Sequence, residues 1–423
     1  MSLLDLSAVL VALTAALAFV NARFLKLPAS IGVTVGGLLV SLLLLLLAGA
    51  GVPAALATVE AVRSVEFDEF VFQGVLSFLL FAGALGVNSH ALWALRGPVL
   101  AFALLSTALS IALVGLGTFA LLGALGLSVP LVLCLLFGAL ISPTDPVAVL
   151  GMLKQARVPK RIETLVAGES LFNDGVGVVA FAVLATLAGA GHGQASPDWV
   201  DVSVFFVQEA AGGLLLGGLL GLLGYLALRA VNDFVTEVLI TLGLVLVCTA
   251  LAAHLHVSAP LAAVAAGLLV GSLTDRRPGA LSSRERFDSV WHLLDELLNI
   301  ALFALLALEI VAVTFSGQAL LAGLLAIPLV LLARVLSVQG PYLLLRRGTD
   351  FPPVTRRLMV WGGLRGAISV ALAFTVPAGP ARDLFLVMTY VVVVFSIVVQ
   401  GLTVGRLARQ AARAHQAGDP DPA

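Results

Sequence analysis

Leu140-Ile141-Ser142-Pro143-Thr144-Asp145-Pro146-Val147-Ala148 interrupts an otherwise apolar run from about 129 to 153. The run is long enough to cross roughly 30 Å of hydrocarbon as a helix. Two prolines at its middle remove backbone donors and disfavour helix in the residues before them. The spacing therefore predicts a membrane helix that opens at Ser142 to Pro146. Unwound backbone at membrane depth survives only where it is buried in protein or lines a wet cavity, so this stretch predicts a many-helix protein with a polar interior.

The composition agrees. Of 423 residues, 60% are hydrophobic and 11% charged, whereas a soluble domain is roughly a quarter charged. A formal net charge of -1 with no run of like charges leaves no surface for phosphate backbones, and nucleic acid is excluded as a partner. Cys134 and Cys248 each lie inside an apolar run and read as small core residues.

Outward from 129 to 153, comparable runs occur near 5 to 21, 28 to 50, 70 to 92, 98 to 125, 164 to 190 and 203 to 229. A second set lies near 236 to 254, 257 to 274, 289 to 313, 317 to 340, 355 to 377 and 384 to 406. These give an all-α polytopic membrane protein of thirteen spans in the lipid bilayer. Arg23 and Lys26 follow the first run rather than precede it, which marks a retained helix rather than a secretory signal. Nineteen of the 23 Lys and Arg fall in alternate loops, with only Arg63 and Arg382 in loops on the other side. The positive-inside rule then places the amino terminus outside and the carboxyl terminus in the cytoplasm of a multi-pass cell (inner) membrane protein.

The spans form one transmembrane domain over residues 1–406, with inverted repeats at about 5–190 and 236–406 and a linker helix at about 203–229. A short polar tail follows at 407–423. Helix 12, seven places after helix 5 and running the other way, carries its own weak point at Gly362-Gly363-Leu364-Arg365-Gly366. Two discontinuous helices crossing at one place are expected. Helix 7 carries Gly213, Gly217 and Gly221 at four-residue spacing, a stripe that lets another helix approach closely.

Helix 6 holds Glu169-Ser170-Leu171-Phe172-Asn173-Asp174. An ionisable group at membrane depth costs about 2.5 to 3.5 kcal/mol on insertion scales and marks function by default. At 1.5 Å per residue, Asp145 lies about 14 Å past Lys154 and Asp174 about 17 Å past Glu163, so the two reach similar depths. Two carboxylates, the hydroxyls of Thr144 and Ser170, and the freed carbonyls of a broken helix supply the oxygen-rich shell that hard cations prefer. A proton and a cation would compete for that shell, which is exchange in outline. Asn173 is a ligand or organiser. Glu169 and Arg365 are expected to pair and hold helix 6 to helix 12, and Arg334 on helix 11 to snorkel or pair with an acid. Asp295, Glu296 and Asn299 at the cytoplasmic start of helix 10, and Glu309 near its outer end, read first as solvated helix ends, with a role at the mouth of the pathway as the alternative.

Thr144-Asp145-Pro146, Glu169-Ser170-Leu171-Phe172-Asn173-Asp174-Gly175 and Gly363-Leu364-Arg365-Gly366 together resemble the NhaP-type sodium/proton antiporters. The resemblance extends to Asp295-Glu296-Leu297-Leu298-Asn299 and Leu308-Glu309 on helix 10. It implies a homodimer with a mobile six-helix core and a separate dimerisation part. It also implies alternating-access exchange of a monovalent cation, Na+ or Li+, for H+, with Asp174 as the essential ion- and proton-binding carboxylate. Asp145, Thr144 and Ser170 would surround the ion, and Glu169 and Arg365 would be a structural pair. Asn173 stands where the electrogenic branch carries a second Asp, which implies electroneutral exchange. Ala82 stands where some members carry a Glu on helix 3. No cofactor is expected beyond the transported cation and proton.

Potassium/proton exchange on the same fold is the alternative reading. A channel would need a pore built from rings of groups. An intramembrane hydrolase would need a nucleophile elbow or a zinc motif, and neither Gly-x-Ser-x-Gly nor His-Glu-x-x-His occurs.

Overall fold

The computed structural model describes residues 3–63, 67–190, 199–276, 281–345 and 353–418. Arg277, Arg346 and Arg347, three of the basic residues counted above, lie outside them. The described residues are mostly helical, and their helices make thirteen membrane spans. Nine are individually long and apolar enough to cross a bilayer. The others are the helices Ala259–Asp275 and Arg284–Glu309 and the two broken helices.

The first half comprises α1 (Leu3–Val20), α2 (Ala29–Gly49), α3 (Phe67–Gly86), α4 (Arg96–Ala124), α5a (Leu131–Ile141) with α5b (Val147–Gln155), and α6 (Lys160–Ala185). Helix α7 covers Trp199–Ala230. The second half comprises α8 (Phe234–Leu255), α9 (Ala259–Asp275), α10 (Arg284–Glu309), α11 (Gly317–Leu345), α12a (Pro353–Trp361) with α12b (Ala367–Phe374), and α13 from Pro380. Each broken helix stops where the prolines or glycines predicted. The loop between α2 and α3 contains a surface helix, Pro53–Arg63.

The expected polar tail is different. Helix α13 continues through a π turn at Ser396–Gln400 into Gly401–Gly418. Val404, Ala408 and Ala411 on it are buried in a cluster with Val149 and Leu153 of α5b and Leu358 of α12a. Small apolar residues at three- and four-residue spacing give this charged segment one buried face.

The glycine stripe of α7 docks on α9. A Cβ at Gly217 would lie 2.1 Å from the Ala262 carbonyl oxygen, and one at Gly213 would lie 2.6 Å from that of Ser258. Helices with no water between them associate through such close backbone contact. Cys134 and Cys248 are free and buried, as expected.

Candidate functional site

The two breaks cross. The Asp145 backbone N–H donates to the Leu364 carbonyl at 2.8 Å, an isolated antiparallel bridge between the unwound segments. Gly366 permits the approach, because a Cβ there would lie 2.8 Å from the Asp145 carboxylate. The carboxylate thus sits at the amino-terminal start of α12b, where the helix dipole is positive. The negative end of α5a is met by a cation: the Arg365 guanidinium donates from Nη1 to the carbonyls of Ser142 and, at 3.1 Å, Pro143. The Arg365 backbone N–H is held by the Ser396 hydroxyl at 2.9 Å.

The predicted pairing of Glu169 with Arg365 is therefore corrected. Glu169 accepts from Arg334 Nη1 at 2.8 Å, with both side chains buried. The same guanidinium donates from Nη2 to the Met359 carbonyl at 2.9 Å, in the last turn of α12a. A Cβ at Gly363 would lie 2.6 Å from Arg334 Nε, so this glycine makes room for the guanidinium. Two arginines divide the work by geometry. Arg365 neutralises the carbonyl end of α5a and Arg334 that of α12a, and only Arg334 reaches Glu169.

The remaining site residues converge. Thr144 Oγ1 and Ser170 Oγ lie 3.1 Å apart. Asn173 Nδ2 donates to Thr144 Oγ1 at 3.2 Å and to the Ser142 carbonyl at 3.3 Å, and its Oδ1 accepts from the Thr107 hydroxyl at 2.9 Å. With every polar atom of its side chain engaged, Asn173 fixes the opened strand of α5 against α6. Asp174 is 4% exposed, and its Oδ1 has no hydrogen-bond partner. Gly177, one turn on, lets α6 approach the ring of Pro143, since a Cβ there would lie 2.7 Å from it.

A cavity of about 680 Å³ reaches this crossing. Asp145 and Asp174 line it, as do Lys154 of α5b, Lys160 at the start of α6 and Arg284 at the start of α10, so it opens at the face where Lys and Arg concentrate. Asp295, Glu296 and Asn299 line the same cavity. Asn299 donates to the Asp295 carboxylate at 3.0 Å. Ala82 also lines the cavity and adds no carboxylate there. Glu309 is not a solvated helix end: it is 1% exposed.

Sequence reasoning missed Thr107 and left the acid that Arg334 pairs with unnamed; that acid is Glu169. A hydroxyl in a helix ordinarily bonds its own backbone, and Ser142 does so to the Gly138 carbonyl at 2.7 Å while its own carbonyl serves the crossing.

Buried oxygens around an opened helix crossing, reached by a cavity, are the arrangement in which secondary transporters hold their substrates. The sodium/hydrogen exchanger transmembrane family model matches residues 9–410. The chain is 42% identical to the Na(+)/H(+) antiporter NhaP of Pseudomonas aeruginosa, over 96% of this chain and 97% of that protein. It is 31% identical to the Na(+)/H(+) antiporter NhaH of Halobacillus dabanensis, over 92% and 93% respectively. Its fold matches the sodium proton antiporter MjNhaP1 of Methanocaldococcus jannaschii with a TM-score of 0.73 at 19% identity, covering 97% of this chain and 98% of that one. The protein belongs to the sodium/hydrogen exchanger family, as the sequence motifs implied, and is an integral membrane transporter rather than an enzyme.

Proposed function

We propose that this protein exchanges Na+ for H+ by alternating access at the Asp145–Asp174 site, one for one, with the basic face in the cytoplasm. The observation that carries this reading is Asp174: a buried carboxylate with an unpartnered oxygen, lining the cavity with Asp145. No described group hydrogen-bonds that oxygen, so it is available to bind either a cation or a proton. Thr144, Ser170 and Asp145 would complete the cation's oxygen shell. Bound Na+ favours the ionised carboxylate and a bound proton excludes the ion, so each can carry the site across only alone. Asn173 adds no charge beside Asp174, which supports electroneutral exchange.

The family resemblance supports a homodimer, and the concentration of Lys and Arg at the cavity mouth supports an inward-facing state with the amino terminus outside. In proteoliposomes, added Na+ is expected to drive proton movement read by a pH-sensitive dye, and Asp174→Ala is expected to abolish it. An imposed membrane potential is expected to leave the rate unchanged. Retained exchange in Asp174→Ala overturns the assignment, and a response to K+ in place of Na+ moves the substrate to potassium.

A further inference from the structure

Glu309 ends α10, at the end of that helix opposite the cavity mouth. Counting 1.5 Å per residue, it lies about 21 Å beyond Asp295 along the helix. It is 1% exposed, and its Oε1 has no hydrogen-bond partner. No described basic side chain forms an ion pair with it. Arg63 comes near but donates from Nε and Nη2 to the Val311 carbonyl, at 3.4 and 3.3 Å. The charge that acts on Glu309 is Asp68, at the start of α3, and it is of the same sign. A buried carboxyl with one oxygen unpartnered and no described base engaged makes no ion pair that would hold the helices together.

Three further hydroxyls in the helices around it are unsatisfied. Ser77 of α3, Ser369 of α12b and Thr389 of α13 are buried with no partner. Helix α12b packs on α3 and α13, and α10 packs on α3 and α12b, so these groups share one region of the molecule. Ser369 also lines the cavity that holds Asp174. On this side the helices close through Phe67 and Phe374, whose rings meet edge to face at 5.8 Å. Unsatisfied buried polar groups are costly, and Glu309, Ser77 and Thr389 would meet water and ions if this side opened.

We propose that Glu309, together with Asp68 beside the Phe67–Phe374 closure, is the cation-admitting site of the second entrance, used when the transporter faces away from its basic side. A monovalent cation would pair with the two carboxylates and pass the Ser77 and Ser369 hydroxyls on its way to Asp174. The inference rests on the alternating-access reading above and adds a second, sided binding site to it.

Vesicles of known orientation test it by measuring the KM for Na+ from each face. Glu309→Gln is expected to raise KM about tenfold from the face opposite the basic one and leave the basic-face KM unchanged, with Glu309→Asp close to wild type. Asp68→Asn provides a second variant with the same expected sidedness. Equal shifts at both faces, or none at either, overturn the proposal. So does a loss of thermal stability in Glu309→Gln that Glu309→Asp does not recover while sidedness stays unaltered in Asp68→Asn. Failure of the unsubstituted protein to exchange Na+ for H+ would instead sink the antiport reading itself.

Discussion

The Arg334 guanidinium of α11 and the Glu169 carboxylate of α6 meet at 2.8 Å across 165 residues of sequence, both almost fully buried. The pair fastens α6, which carries Ser170, Asn173 and Asp174, to the end of α12a through the Met359 carbonyl. The site therefore depends on a residue outside every motif that announces it.

Removing one partner of a buried ion pair leaves an uncompensated charge, at a cost of about 3 to 5 kcal/mol. Arg334→Met and Glu169→Gln are each expected to lose that much in thermal or denaturant unfolding of the detergent-solubilised protein. The double variant should recover most of the loss. Combining Glu169→Gln with Arg365→Met should show much weaker coupling; strong coupling there would restore the pairing the sequence suggested.

Asn173→Asp exchanges a donor for an acceptor opposite the Ser142 carbonyl and Thr144 Oγ1. Losing both amide donors at a buried position is expected to destabilise by about 1 to 3 kcal/mol and to raise the KM for Na+. If Asn173→Asp kept wild-type stability and KM, Asn173 would have no organising role.

Gly366→Ala places a methyl group 2.8 Å from the Asp145 carboxylate. Either the carboxylate or the start of α12b must shift, and a displacement of that size beside a binding site is expected to slow exchange about a hundredfold. Folding should be largely kept, which circular dichroism and size-exclusion elution would check. Normal exchange in this variant would show that Asp145 can move without consequence.

Competition between one proton and one Na+ fixes the sign of the pH dependence. On the acid limb, the KM for Na+ is expected to rise about tenfold per pH unit while the maximal rate holds, because each tenfold gain in protons displaces one bound cation by mass action. Thr144→Ala and Ser170→Ala remove two of the proposed cation ligands and should raise KM at every pH without changing that slope. A slope near two would mean two protons per cation and end the electroneutral reading.

Much of this molecule is legible in a line of letters because the bilayer reduces the options. Lipid accepts only segments that satisfy their own backbone, so the apolar runs gave the spans, and Pro143, Pro146, Gly362 and Gly363 gave the two breaks. Expensive carboxylates in those spans drew attention to Asp145 and Asp174 for the same reason. The carboxyl-terminal segment was misjudged because its charge hid the apolar face of Val404, Ala408 and Ala411.

The sequence by itself determined which helices break and which acids lie at their depth, since both follow from local chemistry: missing backbone donors and the cost of charge in hydrocarbon. Only the tertiary structure decided which arginine answers which partner. Arg365 sits one residue from the bridge between the breaks and is drawn to the carbonyls of Ser142 and Pro143. Arg334, distant in sequence, is brought to Glu169 by the packing of α11. An ion pair is chosen by distance in space, and in a chain of thirteen spans that distance is set by how the helices assemble.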